Sequence, residues 1–150
     1  MLFPELSASS KVWVYTADRI LSDEEAALLQ NEADAFVLNW AAHGTGLTAR
    51  GKVIENRFLV LVADETQTHA SGCSIDSSVK FVKSMGEKLN VDFFNRMQMV
   101  IQNDDDLKYV HVSELKNYAD WDVYNPMITT LNELRSVWRV KVAESPFISL

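Results

Sequence analysis

Hydrophobic and polar residues follow a strand-like pattern and then a helix-like pattern in the first third of the chain. Residues 11–16, KVWVYT, are rich in β-branched and aromatic side chains and predict a strand. Beyond them, apolar residues recur every three or four positions, which predicts a helix with one apolar face. These apolar positions are Leu29, Ala33, Phe36 and Trp40. Ser22 and Glu25 have the spacing of a capping box at the start of this helix, and Gly44 and Gly46 are expected to end it.

Residues 47–65 predict two strands joined by a turn. Either Gly51 or residues 55–57, ENR, supply that turn, and the pattern does not distinguish them. The second strand, RFLVLVA, is almost continuously apolar, which is typical of a central strand covered on both faces. A second helix is then expected to begin at Ser74 as N-cap. Its apolar face contains Ile75, Val79, Val82, Met85 and Leu89.

The last third of the chain predicts shorter elements. Residues 96–102 and 107–112 read as a hairpin around the polar segment NDDD, followed by a short helix near Ser113. A strand is expected over WDVYN, ended by a proline. Thr130 and Glu133 form a second capping box, and the apolar residues that follow it are Leu131, Leu134 and Trp138. No clear pattern follows Val142.

The order of these elements indicates the fold class. Up to residue 102 the order is strand, helix, strand, strand, helix, strand, which is that of a ferredoxin-like split βαββαβ sandwich in the α+β class. Further strands and helices would extend or cover its sheet, and a three-layer mixed α/β arrangement is the alternative. At 150 residues, the chain is expected to form one globular domain.

Composition and charge exclude several functions. The net charge is −7, with 21 acidic and 14 basic residues, and the basic residues are scattered, which argues against binding nucleic acid. The first fifteen residues do not resemble a signal peptide, and the longest apolar run, FLVLVA, is too short to span a membrane. A single cysteine cannot form an internal disulfide, so we expect a cytoplasmic protein.

Cys73, in the segment ASGCSIDSS, is the sharpest candidate for chemistry. A thiol at a helix N-terminus is activated by the helix dipole, although the nearby Asp76 opposes that effect. A small buried cysteine in a tight turn is the interpretation that we favour. As a nucleophile, Cys73 would need a base, for which His69 in the same loop and His43 at the end of the first helix are candidates. His111 falls in a predicted strand.

Residue spacing argues against a metal site and leaves one candidate anion-binding site. Asp64, Glu65, His69 and Cys73 lie within ten residues but lack paired ligands, so no metal site is predicted, and NDDD is expected to be a solvated turn. The chain has no P-loop or dinucleotide-binding glycine motif and no predicted cofactor. The start of the second helix is a candidate anion-binding site. Its residues are Gly72, Cys73 and Ser74, with Arg57 as an added charge.

Four segments together resemble a family of small bacterial proteins of uncharacterised function: KVWVYTADR, WAAHG, NRFLVLVADE and ASGCSIDSSVKFV. Some members of that family carry the label ABC transporter ATPase. The residues do not support the label, because LVADE resembles a strand that ends in acids but no P-loop lysine accompanies it. The resemblance implies no catalytic residues.

Two functions remain as hypotheses. The first is a non-enzymatic domain that binds a partner protein or a small ligand. Its four tryptophans, a residue type enriched where binding energy concentrates, are Trp13, Trp40, Trp121 and Trp138. The alternative is a thiol-dependent enzyme or redox-sensing protein that uses Cys73, with His69 or His43 as base.

Overall fold

The computed structural model describes residues 1–43, 48–64 and 72–148, which form two antiparallel sheets, three α-helices and two 3-10 helices. The first sheet contains β1 (Lys11–Thr16), β2 (Thr48–Ile54) and β3 (Phe58–Asp64). The second contains β4 (Gln98–Asn103), β5 (Asp106–His111), β6 (Asp122–Tyr124) and β7 (Arg139–Lys141). The helices are α1 (Asp23–His43), α2 (Gly72–Leu89) and α3 (Leu131–Ser136), and the 3-10 helices are Val112–Tyr118 and Val142–Glu144.

β3 is the central strand of the first sheet, between β1 and β2. Its residues from Phe58 to Ala63 are all buried, as the continuous apolar run predicts. Successive side chains point to opposite faces of the sheet. Leu59 and Leu61 pack against α1 and α2, whereas Val60 and Val62 pack against α3 and the second sheet. The strand therefore contributes to two cores.

The second sheet, in the order β5, β4, β6, β7, lies with α3 against the face of the first sheet that is opposite α1 and α2. Val100 of β4 and Tyr109 of β5 join the core between the sheets. On the outer face of the second sheet, Met99 and Ile101 pack against Leu115 of one 3-10 helix. The layers are thus helices, sheet, sheet and 3-10 helices.

The turn between β2 and β3 is formed by the ENR segment. Glu55 and Asn56 both have positive φ angles, 55° and 52°, and the Arg57 N–H donates to the Ile54 carbonyl oxygen at 3.1 Å. These features define a type I′ turn, which suits a hairpin. Gly51 instead lies inside β2, where a Cβ atom would be 3.3 Å from the Ala33 Cβ, so the missing side chain lets α1 approach the strand.

Both predicted capping boxes are confirmed. The Ser22 hydroxyl accepts from the Glu25 N–H at 3.1 Å, and the Glu25 carboxylate accepts from the Ser22 N–H at 2.9 Å. Thr130 and Glu133 repeat this exchange at the start of α3. The predicted hairpin is also confirmed, with Asn103 paired to Asp106. α1 ends at His43, and the glycines expected to end it lie outside the described residues.

The α+β class is confirmed, but the strand order does not confirm the ferredoxin-like topology. β4 pairs with β5 and β6 in the second sheet and does not join β1 in the first. The pairings between the described strands are all antiparallel, so the mixed three-layer alternative is not observed either. α2 begins at Gly72, before the predicted cap Ser74, and Trp138 lies beyond the end of α3.

The tail from Val142 onward, in which the sequence shows no clear pattern, begins with the 3-10 helix, and the short strand β7 directly precedes it. Both are held in place through Trp121, whose carbonyl oxygen accepts from the Val142 N–H at 2.9 Å. Over the described part of the chain, no helix combines the length and the apolar character needed to cross a membrane.

Candidate functional site

β1 is an outer strand of the first sheet, and one of its edges faces away from β3. Backbone groups of alternate residues point to opposite edges of a strand in an antiparallel sheet. The Val12 N–H donates to the Thr129 carbonyl oxygen at 3.0 Å, away from β3. The backbone groups of Val12, Val14 and Thr16 therefore point outward.

Only the beginning of this outer edge is paired. Lys11 and Thr130 form an isolated antiparallel bridge. The pairing stops there, because the Thr129 N–H donates to the Glu133 carboxylate at 3.0 Å and not to β1. In the described part of the chain, no protein group bonds to the Val12 C=O or to the backbone N–H and C=O groups of Val14 and Thr16. A row of free donors and acceptors remains, with the two-residue spacing of a strand.

This free edge lies in a groove with a volume of about 590 Å³. One wall is the first half of α2, through Ile75 and Val79. The other boundaries are residues 93–96, which precede β4, and residues 126–129, which precede α3. The volume is within the range of about 300 to 1,000 Å³ that is usual for ligand sites.

Large apolar side chains are exposed around the groove. Phe94 is 40% exposed and packs edge-on against Tyr15 of β1, with 5.6 Å between the ring centroids. Met127, on the opposite boundary, is 62% exposed, and Ile75 and Met97 are also exposed. An exposed apolar cluster beside a groove is typical of a binding surface, and methionine side chains adapt to varied partners.

Among the described residues that line the groove, the charged ones are Lys11 and Arg96, and both are basic. Burial raises the pKa of Tyr15, while a hydrogen bond to Ser78 and the charge of Arg96 partly oppose this increase. The guanidinium of Arg96 is therefore close enough to act on the floor of the groove. The charged side chains in the described lining are thus both positive, in a protein of net charge −7.

The loop that carries Phe94 and Arg96 is held by its own side chains. The Asp92 carboxylate accepts from the Phe94 N–H at 2.8 Å, and the Asn95 side-chain oxygen accepts from the Met97 N–H at 2.9 Å. Asp18, just beyond β1, accepts from the Asp92 N–H at 3.0 Å. These bonds tie the loop to the end of β1 and preserve the width of the groove.

The sequence-predicted thiol site falls largely outside the described residues. His69 lies in the segment that the structure does not describe, and the side chains of His43, at the end of α1, and Cys73, near the start of α2, are also outside it. The backbone of Gly72, Cys73 and Ser74 forms the first turn of α2, next to Ile75 in the groove wall. Thiol chemistry and anion binding at this turn stay predictions.

Arg57 lies near the C-terminal end of α2, far from the first turn of that helix. The Arg57 carbonyl oxygen accepts from the Ala17 N–H, and Arg19, close by in the chain, donates to the carbonyl oxygen of Leu89 at the end of α2. Because α2 has 18 residues, its start is about 25 Å from that end. Arg57 donates to the Glu55 carbonyl oxygen and lies over the Tyr109 ring at 5.8 Å, so its described contacts are structural.

The remaining candidate residues have structural contacts. His111 ends β5, and its Nδ1 accepts from the Ser113 N–H at 3.1 Å, which caps the following 3-10 helix. Asp64 ends β3 and accepts from the Ser7 N–H at 3.4 Å, while Glu65 lies outside the described residues. Within the described residues, no group of three or more His, Cys, Asp or Glu side chains could hold a metal ion.

The four tryptophans divide between core and groove. Trp40 and Trp138 are buried, and Trp121 is half-buried against Tyr118. Trp13 is half-buried, lines the groove and contacts Trp40 with ring centroids 5.5 Å apart. Trp13 is thus the tryptophan placed to report on binding in the groove.

No protein-family model, curated protein or solved structure matches this chain. The resemblance to the small bacterial family therefore stays a prediction. The free edge of β1, its apolar surroundings and its positive charge are the observations from which a function can be argued.

Proposed function

We propose that this protein is a non-enzymatic binding domain that takes up an extended polypeptide segment as an additional strand on β1. The observation that carries the proposal is the row of free backbone groups formed by the Val12 C=O and by the N–H and C=O groups of Val14 and Thr16. Strand addition to an exposed sheet edge is a common mode of peptide recognition, in which main-chain hydrogen bonds supply affinity and side-chain pockets supply specificity.

The hydrogen-bonding pattern favours a polypeptide over a small molecule. Donors and acceptors alternate on the edge at a two-residue repeat, which matches the backbone of another strand. From Val12 to Thr16 the edge is about 13 Å long, at about 3.3 Å per residue. A segment of about five residues would pair along this length and fit the groove, whose volume is about 590 Å³.

The walls of the groove suit the alternating side chains of a strand. Trp13 and Tyr15 point to the face that carries α2, whereas Val12 and Val14 point to the other face. An added strand would direct every second side chain toward Ile75 and Phe94 on the α2 face. Apolar residues at those positions would be covered, which adds burial to the main-chain bonds.

The proposal can be tested by selecting binding peptides and then methylating their backbone amides one at a time. Peptides selected from a random display library against the full chain are synthesised with an N-methyl group at each amide in turn. Strand addition predicts that methylation weakens binding at every second position only, because alternate N–H groups face β1. In an NMR titration, the amide signals of Val14 and Thr16 would shift. Uniform sensitivity to methylation, shifts elsewhere, or a selection that yields no binder would contradict the proposal.

A matched pair of variants links the effect to the edge. Val14→Pro removes the outward N–H without removing a bond to β3, and proline is tolerated on strand edges in this orientation. Val14→Thr keeps the N–H and the branched shape. We expect Val14→Pro to weaken peptide binding about tenfold and Val14→Thr to change it less than about twofold. Thermal melting checks that both fold, and Thr16→Pro replaces Val14→Pro if the latter does not.

A further inference from the structure

The charged side chains that the structure describes in the lining of the groove are basic, whereas the whole molecule is acidic. The chain has a net charge of −7, yet Lys11 and Arg96 are the charged side chains among the described residues that line the groove. A concave site lined by one sign of charge concentrates ligands of the other sign. An anionic group would therefore be favoured at this lining more than at the rest of the acidic surface.

Arg96 is the cation placed to act on a bound segment. Its side chain is exposed, and the described residues form no ion pair with it. Its charge reaches Tyr15, on the C-terminal half of β1, where it opposes the effect of burial on the pKa of that residue. The carboxylate of Asp92 is occupied by the Phe94 N–H, and Asp92 lines a neighbouring hollow instead of the groove.

The loop favours a side-chain carboxylate over a terminal one. Chain-terminal carboxylates are usually captured by clusters of free backbone N–H groups. Here the N–H groups of Phe94 and Met97 are already donated to Asp92 and Asn95. Because these two amides of the loop are already used, the group of the loop left to meet an anion is the guanidinium of Arg96, which can hold an acidic side chain in a bidentate pair.

We infer that the polypeptide segment bound by this protein carries an aspartate or glutamate, with its carboxylate against Arg96 and its backbone paired with the C-terminal half of β1. The inference rests on the proposed strand addition and names the chemistry of the partner. The remaining side chains on the α2 face of the segment are apolar, to match Ile75 and Phe94.

The test is a double-mutant cycle on peptides from the same selection, acetylated and amidated so that they carry no terminal charge. Each selected peptide is compared with a version in which its acidic residue is replaced by the corresponding amide. Binding to the original chain and to Arg96→Gln is measured by fluorescence anisotropy. We expect the original chain to bind the amide peptide about two- to fivefold more weakly than the acidic peptide. Arg96→Gln should bind the two peptides equally well. The difference should shrink as salt is added.

Lys116→Gln is the matched control, because it changes the net charge by the same amount on the 3-10 helix outside the second sheet. It should leave the preference for the acidic peptide unchanged. The charge inference would be overturned if the selected peptides showed no enriched acidic position, or if the original chain bound the acidic and amide peptides equally. Strand addition would still be supported in that case by weaker binding on methylation at every second amide. Loss of that pattern, or a selection that yields no binder, would overturn both.

Discussion

The two outer strands of the first sheet differ in whether a side chain bonds to the backbone groups of their outer edges. On β2, the side-chain amide of Gln30 from α1 covers the edge: its oxygen accepts from the Val53 N–H at 2.8 Å, and its nitrogen donates to the Gly51 carbonyl at 3.0 Å. On β1, the corresponding groups of Val14 and Thr16 have no such partner in the described residues. The edge of β2 is thus bridged by a side chain from a helix, and we call it the closed edge, whereas the open edge of β1 borders a groove.

This contrast favours a binding role for the open edge. Unpaired edges promote unwanted association, and proteins protect them with covering helices, charges or bulges. The amide of Gln30 provides such protection on β2, whereas β1 is flanked by exposed apolar residues such as Phe94 and Met127. Apolar residues beside a free edge would increase the hazard unless a partner covers them. We therefore expect changes at the closed edge to alter stability and changes at the open edge to alter binding.

The largest expected effect comes from filling the space that brings α1 onto β2. In Gly51→Val, the new side chain would meet Leu61 Cδ2 at 3.2 Å and the Ala33 Cβ at 3.3 Å from its Cβ atom alone. Because α1 must move outward, we expect the free energy of unfolding to fall by about 3 kcal/mol. Urea denaturation measures this change. A value unchanged from the original chain would show that α1 does not close the edge through this contact.

Removing the amide itself should have a smaller effect. Gln30→Ala leaves the Val53 N–H and the Gly51 C=O without their partner, and we expect a loss of about 2 kcal/mol. Gln30→Glu keeps an acceptor for Val53 but sets a carboxylate oxygen against the Gly51 C=O and the Asp34 carboxylate, so we expect it to recover little of the lost stability. Amide hydrogen exchange at Val53 should accelerate in Gln30→Ala toward the rate of Val14. If exchange at Val53 is already as fast as at Val14 in the original chain, the two edges do not differ.

A substitution at the start of α1, the helix that supplies Gln30, should lower the stability by less. Ser22→Ala removes the hydroxyl that accepts from the Glu25 N–H, and we expect a loss of about 1 kcal/mol. Ser22→Asp, which restores an acceptor, is the control and should recover most of the stability. Peptide binding at the groove should be equal in both variants, since β1 is not altered.

The capping box of Ser22 and Glu25 predicts that the free energy of unfolding depends on pH in the acidic range. Hydrogen bonds from Arg19 and then from the Ser22 N–H lower the pKa of Glu25 to about 2 from its ordinary 4.5. Because the folded-state pKa is the lower one, the contribution of Glu25 is complete above pH 4.5 and is lost as the pH falls toward about 2. In Glu25→Gln, the slope of unfolding free energy against pH should be smaller across this interval. An identical slope in both proteins would contradict the prediction.

At the open edge, the expected effect on stability is the smallest. Met127→Ser changes a side chain that is 62% exposed, so the free energy of unfolding should change by less than about 0.5 kcal/mol. Binding of a selected peptide should nevertheless weaken severalfold, because Met127 lines the groove. Leu38→Ser, on the outer surface of α1, is the control and should leave binding unchanged. Equal effects of the two variants on binding would argue against the groove.

The sequence predicts the elements of this fold better than their arrangement. Capping boxes such as Ser22 with Glu25 are local, and so is the turn chemistry around 103–106, so both can be read from spacing alone. The partner of β4 is a non-local choice. β4 forms a tight hairpin with β5 and pairs with β6 on its other side, so both of its edges are occupied within the second sheet. Element order contains neither fact.

The groove was not predicted because no single segment identifies it. It is formed by residues 11–16, 75–79, 93–96 and 126–129, which are brought together only by the fold. Among the described residues that line it, Trp13 is the one that the sequence indicates for binding, through its residue type. Which backbone groups of β1 are free depends on the Lys11–Thr130 bridge, and that bridge has no signal in the local sequence.

Because the side chains of β3 alternate between two cores, the halves of this protein share one structural element. Neither core can lose its packing without exposing the other, so melting of the helix side should disorder the second sheet at the same temperature. In calorimetry, we expect a single endotherm whose van't Hoff and calorimetric enthalpies agree. Tyr15 on the helix side and Trp138 between the sheets should then report the same midpoint, as in a single cooperative unit.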